Sequence, residues 1–131
     1  MIKWPITYVD FEGNEQTEEF RFHLSKSELM EMNFSQSGGM EKMLQRIINT
    51  KDTQKIIEVF KDIILRSYGE LSDDGKRFIK VKDGHKLADD FAQTQAYDEL
   101  FMQLATDDKK AADFINGIIP KALAEELAAR G

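Results

Sequence analysis

One stretch of the chain, from Asp52 to Gly69, constrains the fold most, because its apolar residues repeat with the spacing of one helix face. Asp52 or Thr53 is suited to cap the first amides of this helix, and Gly69 to end it in the left-handed conformation. No other segment combines such a long apolar face with such clear end signals, so we expect the other elements to pack against it. The residues of this face are Ile56, Ile57, Phe60, Ile63 and Ile64.

Two runs of alternating apolar and polar residues at the N-terminus predict a β-hairpin. Pro5 has no amide donor, so the first strand belongs at a sheet edge or contains a break. Gly13-Asn14 supplies residues that tolerate a tight turn. A lone hairpin is marginal in water, so its aromatic face packs on the chain's own helices or its edge pairs with another subunit. The apolar positions are Ile2, Trp4, Ile6 and Tyr8 in the first run and Phe20, Phe22 and Leu24 in the second.

Further helices are predicted on both sides of the central stretch. Ser25 and Glu28 form a capping box that begins a short helix. Beyond residue 86, two helices are expected to be capped by Thr94 and Asp107. Another amphipathic helix, expected to form an antiparallel helical hairpin with the central stretch, carries Met40, Met43, Leu44, Ile47 and Ile48.

The predicted fold class is α+β and mostly α, with an N-terminal β-hairpin followed by a bundle of about five to seven helices. The chain is expected to be a single domain over 1–131. Its parts are the hairpin (1–24), helices with the central helical hairpin (25–69), a loop (70–86) and the C-terminal helices (87–131). Within the loop, Phe78, Ile79 and Val81 are suited to a short strand. The final KALAEELAARG has only a thin apolar stripe, so it is either frayed or a helix that takes a partner.

Composition excludes several classes of function. The 131 residues include no cysteine, which rules out disulfides, thiolate metal sites and cysteine nucleophiles. A net charge of −6 argues against nucleic-acid binding. No apolar run approaches the roughly 20 residues that span a bilayer. The N-terminus lacks the apolar core of a signal peptide. We therefore expect a cytoplasmic protein with no nucleic-acid or membrane partner.

Motifs that would carry chemistry fail when tested against their spacing. Gly69 to Lys76 resembles a phosphate-binding loop but has the wrong glycine spacing, acidic side chains, and Arg77 where a hydroxyl must bind Mg²⁺. A calcium loop around Gly75 lacks its final Glu. No second histidine or carboxylate lies at i+3 or i+4 on a predicted helix beside His23 or His85, so both are expected to be exposed polar residues. We predict no catalytic, cofactor-binding or metal-binding residues, and no enzyme.

Two features leave alternatives open. Most of the methionines crowd one region, and they either fill the core or offer an adaptable surface to apolar partners. The basic residues near residue 80 are offset by neighbouring aspartates, so they form either a solvated loop or a contact for an acidic partner. These residues are Lys76, Arg77, Lys80 and Lys82.

Three long stretches of the chain resemble a family of small tailed-phage proteins. They are ITYVDFEGNEQTEEFRFHLSKSELMEM, QRIINTKDTQKIIEVFKDIILRSYGELSDDGKRFIK and FAQTQAYDELFMQLATDDKKAADFINGIIP, and the likeness covers about residues 6–120. Members are described as tail assembly chaperones and are encoded in tail modules of phages and prophages of Gram-positive bacteria. The resemblance implies a protein that binds the tape-measure protein, assists assembly of tail-tube subunits around it, and is absent from the virion. It also implies that a longer frameshifted form exists in many members.

We therefore predict a non-enzymatic tail assembly chaperone in the host cytoplasm, which binds the tape-measure protein and also contacts the tail-tube protein. The alternative is a structural tail or head-completion protein that stays in the virion. Self-association through the hairpin edge is the further interaction suggested by the sequence. The hypothesised partner-binding residues are Trp4, Phe20, Phe22, Met40, Met43, Leu44 and Ile47.

Overall fold

An antiparallel β-sheet built largely from the N-terminal hairpin carries helices on one face. The computed structural model describes residues 1–31 and 53–119. Strand β1 (Ile2–Val9) pairs with β2 (Glu15–Phe22) along its whole length, with Ile2 opposite Phe22 at one end and Val9 opposite Glu15 at the other. The predicted hairpin is confirmed.

The hairpin turn is held by the side chain of Asp10. Its Oδ1 atom accepts hydrogen bonds from the amides of Glu12 at 3.0 Å and Asn14 at 2.9 Å. The bonds from Asn14 and from the Gln16 side chain hold the pKa of Asp10 below its ordinary value. Gly13 supplies a φ of +86°, which only glycine adopts at little cost. The turn is therefore ordered by bonds within its own residues.

Two later segments complete the sheet. Strand β3 (Tyr68–Leu71) pairs with the end of β2, and β4 (Phe78–Ile79) pairs with β3, giving the order β1-β2-β3-β4. All pairs are antiparallel. In the described sheet β1 is an edge strand, so the position predicted for Pro5 is confirmed.

A second, two-stranded sheet follows at once. Strand β5 (Val81–Lys82) pairs with β6 (His85–Lys86) across Asp83 and Gly84. These two residues have φ values of 54° and 74°, as a type I′ hairpin turn requires. The segment expected to be mostly loop thus contains three two-residue strands, which are too short to show an alternating pattern.

Most helix starts agree with the predicted caps. The Ser25 amide donates to Glu28 Oε1 at 3.0 Å, and the Glu28 amide donates to Ser25 Oγ at 3.2 Å. The Thr94 side chain accepts a hydrogen bond from the Tyr97 amide in the first turn of the helix that follows it. The Asp107 side chain accepts from the amides of Lys109 and Lys110 at the start of the last described helix. The described helices are α1 (Lys26–Glu31), α2 (Thr53–Ser67), α3 (Leu87–Phe91), α4 (Gln95–Thr106) and α5 (Asp108–Ile118).

The core lies between the inner face of the sheet and the helices. Alternate residues of β1 point inward and are buried or half-buried, whereas Lys3, Pro5, Thr7 and Val9 are exposed. Helix α4 packs on β1, and α2 and α5 pack on α4. The apolar side chains with least exposure are Ile6, Phe22, Leu24, Ile64, Ala96, Leu100, Phe114 and Ile118.

The predicted fold class is wrong in one respect: the helices do not form a bundle of five to seven. Five described helices accompany six strands in two antiparallel sheets. The error begins at Gly69, which does not end α2 in a left-handed conformation. Helix α2 ends at Ser67 and the chain continues directly into β3, which contains Gly69. A Cβ atom at Gly69 would lie 2.5 Å from Phe78 Cε2, so glycine permits close packing of β3 against β4.

Two other predictions concern residues outside the described ranges. They are the amphipathic helix of Met40, Met43, Leu44, Ile47 and Ile48, with the helical hairpin it was to form, and the terminal KALAEELAARG.

Candidate functional site

Three of the residues hypothesised to bind a partner lie on the inner face of the hairpin. Trp4 and Phe20 are directly opposite in the β1–β2 register and are half-buried. The Trp4 indole donates to Gln103 Oε1 at 3.4 Å, and its ring meets Phe114 edge-on at 5.4 Å. Phe22 has 0% exposure and lies in the core, so it supports its neighbours and presents no surface of its own. The other four, Met40, Met43, Leu44 and Ile47, lie outside the described residues.

Phe20 belongs to a row of aromatic rings that reaches the surface. Tyr68 stacks on the buried Phe91 at 4.2 Å between ring centroids, and Phe20 lies 5.2 Å from Phe91. Tyr97 meets Phe91 edge-on at 5.9 Å and lies 6.2 Å from Phe101. We call the four half-buried rings of Phe20, Tyr68, Tyr97 and Phe101 the aromatic surface.

Acidic side chains lie near the two tyrosines of the aromatic surface. The pKa of Tyr68 is raised by burial and then by the charges of Glu70, Glu18 and Asp90. Burial and the charge of Asp98 raise the pKa of Tyr97. Burial is the larger cause of both shifts, and the smaller contributions of these carboxylates place negative charge near the two tyrosines. An apolar surface near such charge favours an apolar ligand with positive flanks.

An open cleft of about 590 Å³ lies beside β4. It occupies the end of the hairpin where Met1 and His23 lie, next to the Ile2–Phe22 pair. Burial lowers the pKa of His23, and the charges of the N-terminus and Lys80 lower it further. His23 was expected to be exposed, but its Nδ1 atom is buried and has no hydrogen-bond partner among the described residues. We call this the basic cleft, lined by Met1, His23, Ser25, Glu28, Leu71, Gly75, Lys76, Arg77, Phe78 and Lys80.

Lys80 closes one wall of the basic cleft. Its Nζ atom donates to the carbonyl oxygens of His23 at 2.8 Å and Arg66 at 2.6 Å, and it forms an ion pair with Glu28. Burial holds the pKa of Lys80 below its ordinary value despite that pair. One lysine thereby joins the end of β2, helix α1 and the end of α2.

The predicted basic cluster is therefore divided by the fold. Lys80 is neutralised by Glu28, while Lys76 and Arg77 are exposed at the cleft and Lys82 lies on β5. The nearby carboxylate of Asp74 is engaged by the Ser72 hydroxyl at 2.6 Å and the Lys76 amide at 2.9 Å. Two basic side chains remain at the cleft for contact with other molecules.

The hairpin tip presents an exposed aromatic residue that the sequence analysis did not select. Phe11 is 78% exposed and its neighbour Val9 is 54% exposed. Residues 8–20 contain five acidic side chains and no basic one. The sequence did contain a signal for this exposure, namely a phenylalanine within a short turn of polar residues, where no neighbouring side chain can bury it.

Tyr68, Tyr97 and Phe101 were also missed as surface residues. Tyr97 and Phe101 stand at i and i+4 on α4, a spacing that indicates only a shared helix face. Sequence spacing shows which residues share a helix face, but only the tertiary structure shows that Tyr97 and Phe101 are half-buried.

Metal-binding groups and membrane-spanning helices are both absent from the described ranges. Residues 1–31 and 53–119 contain no group of three or more His, Asp or Glu side chains placed to hold a metal ion. In the same ranges, no helix has the length and apolar character needed to cross a membrane.

His85 forms an exposed pair with Asp90, with Nε2 to Oδ1 at 2.8 Å, and this bond raises the pKa of His85.

Comparison with known proteins gives one match. A family model described as phage tail assembly chaperone matches residues 1–130. No curated protein and no solved structure matches the chain.

Proposed function

This chain belongs to the phage tail assembly chaperone family, and from that premise we propose that it binds the tape-measure protein of its phage. In this proposal it keeps the tape-measure protein soluble in the host cytoplasm while tail-tube subunits assemble around it. It acts by binding and catalyses no reaction. It leaves before the virion is complete.

The aromatic surface is the observation that supports this proposal. Three of its rings contact the buried Phe91 and the fourth, Phe101, contacts Tyr97, so their positions are set before a partner arrives. Rigid aromatic residues bind apolar surface at a small cost in conformational entropy. The surrounding carboxylates complement a helix whose apolar face is flanked by Lys or Arg. We propose that the tape-measure protein offers such a helix.

The residues hypothesised from the sequence fit this proposal in different ways. Phe20 belongs to the aromatic surface, and Trp4 lies opposite it on the neighbouring strand. Phe22 acts indirectly, by supporting these rings from the core. Met40, Met43, Leu44 and Ile47 are proposed to contribute a further apolar contact.

Co-expression with the tape-measure gene tests the proposal. We expect the wild-type chain to keep the tape-measure protein soluble and to co-purify with it. Replacing Tyr97 and Phe101 together by Ala should weaken binding by about 30-fold or more, because aromatic anchors dominate binding energy at interfaces. Met102→Ala is the matched control, since Met102 is apolar, lies on the same helix and is 51% exposed outside the aromatic surface.

Charged substitutions at Met40 and Met43 should also abolish co-purification while circular dichroism shows an intact fold. Equal recovery of the tape-measure protein by the wild type and by folded variants of both sets would refute the proposed mode of binding.

Mass spectrometry of purified virions distinguishes the chaperone from its alternative. We expect the chain to be absent from the particles. Its presence in stoichiometric amounts would instead support a structural tail or head-completion protein.

A further inference from the structure

We propose that copies of this chain associate head to tail, with the hairpin tip of one copy bound in the basic cleft of the next. This interaction is separate from binding of the tape-measure protein. It rests on the chemistry of the two surfaces and on their positions at opposite ends of one hairpin.

The hairpin tip combines an exposed aromatic ring, acidic neighbours and an ordered turn, which are properties that suit it to bind in a cleft. Phe11 is 78% exposed and is flanked by the carboxylates of Asp10 and Glu12. The turn is held by hydrogen bonds to Asp10 from the amides of Glu12 and Asn14. Little conformational entropy is therefore lost when the tip binds. The exposed aromatic ring supplies the apolar contact and the acidic flanks supply charge.

The cleft has the complementary chemistry. Its apolar lining includes Leu71 and Phe78, and Leu71 is 38% exposed. Lys76 and Arg77 lie at the same cleft, so an aromatic ring entering it brings its acidic neighbours near two basic side chains. The volume of about 590 Å³ falls in the range of pockets that take a compact ligand. The rest of the ionic lining, Glu28 with Lys80, is internally paired.

A tip cannot enter the cleft of its own chain. The tip follows Val9, whereas Met1 and His23 line the cleft beyond the Ile2–Phe22 pair at the other end. Eight residues of strand separate the two ends by about 23 Å. The tip therefore meets a cleft only on a second copy.

The contact joins two different surfaces, so it is heterologous and leaves a free tip and a free cleft on every pair. Further copies add in the same way unless the geometry closes a ring. The interface is small, so we expect it to be transient and weakened by salt.

Sedimentation velocity of the full chain tests association. We expect the mean mass to rise beyond that of a dimer as concentration increases to about 1 mM, and to fall again when NaCl is raised to about 0.5 M. Phe11→Ser and Arg77→Glu should each remain monomeric, since each removes one of the two surfaces. Val81→Ser and Lys82→Glu are matched controls at exposed positions of β5, and both should associate as the wild type does.

Mixing the two defective variants provides the decisive measurement. The Phe11→Ser copy retains a cleft and the Arg77→Glu copy retains a tip, so together they can form one interface. We expect a heterodimer in the mixture and no larger species.

Three outcomes would overturn the proposal. They are a wild-type chain that stays monomeric at about 1 mM, association that persists in both variants, and a mixture that stays monomeric. Persistence in both variants would point to another surface, such as the hairpin edge. Because no tape-measure protein is present in these experiments, their outcome is independent of the proposed chaperone function.

Discussion

At the scale of single residues, the two histidines show how the fold gives one residue type two different pKa values. Both have an ordinary pKa of 6.5, yet burial lowers the pKa of His23 whereas the bond to Asp90 raises that of His85. The sequence predicted the same exposed environment for both. Their environments differ because His23 follows the last residue of β2 and is half-buried in the lining of the basic cleft. His85, in contrast, lies on an exposed two-residue strand.

We expect NMR titration to separate the two imidazoles, with His23 titrating below 6.5 and His85 above it. Asp90→Asn should lower the pKa of His85 and leave that of His23 unchanged. Since the folded pKa of His23 is depressed, its contribution to stability is present above the unfolded pKa and is lost as pH falls through the folded value. The contribution of His85 has the opposite sign and is lost as pH rises through its raised pKa. Coincident titration near 6.5 would contradict these assignments.

Helix caps were the residues that the sequence predicted best. Ser25 with Glu28, Thr94 and Asp107 each satisfy amides within three residues of themselves, so local sequence suffices. Gly69 could not be assigned in this way, because its role depends on Phe78, which approaches through β4. A glycine has the same appearance in sequence at a helix end and at a close contact.

At the scale of elements, long segments were predicted and short ones were not. The eight residues of β1 and of β2 display a period of two, whereas β4, β5 and β6 have two residues each and owe their pairing to neighbours and turns. The same limit affects the candidate site. The aromatic surface joins β2, β3 and α4 over the buried Phe91 of α3, and no periodicity within one element reveals such a junction.

Lys80 joins three elements, and its replacement tests how much that junction stabilises the fold. Lys80→Met keeps an unbranched side chain that is one atom shorter, but removes the donor to the carbonyl oxygens of His23 and Arg66 and to Glu28. We expect the free energy of unfolding to fall by about 1–3 kcal/mol, as for other buried polar groups left without partners. Chemical denaturation measures this loss. Lys82→Met, on exposed β5, should have little effect, and equal effects of the two substitutions would exclude the role given to Lys80.

At the scale of the whole molecule, the two ends of the described chain are in close contact. Helix α5 lies against the start of β1, and the Leu24 amide donates to the carbonyl oxygen of Ile118 at 2.7 Å. A Cβ atom at Gly117 would lie 2.2 Å from Ile2 Cδ1. The sequence did not predict this contact, since Ile2 and Gly117 are separated by nearly the whole chain.

Gly117→Ala should lower the free energy of unfolding by about 1–3 kcal/mol through overpacking against Ile2. Ile2→Ala removes the overlapping atoms, so Gly117→Ala should cost about 1 kcal/mol less in that background. Denaturation of the two single variants and the double variant gives the coupling. Strict additivity of the two substitutions would show that α5 and β1 do not meet in this way.

The position of Pro5 in the edge strand has a consequence for aggregation between copies of this chain. Amyloid-like growth needs an uninterrupted row of backbone donors for each incoming strand, and a proline in the middle of β1 removes one from the strand that is most accessible. Replacing this proline would thus restore a backbone donor to the exposed edge and favour strand-by-strand aggregation, a hazard separate from any loss of folding stability.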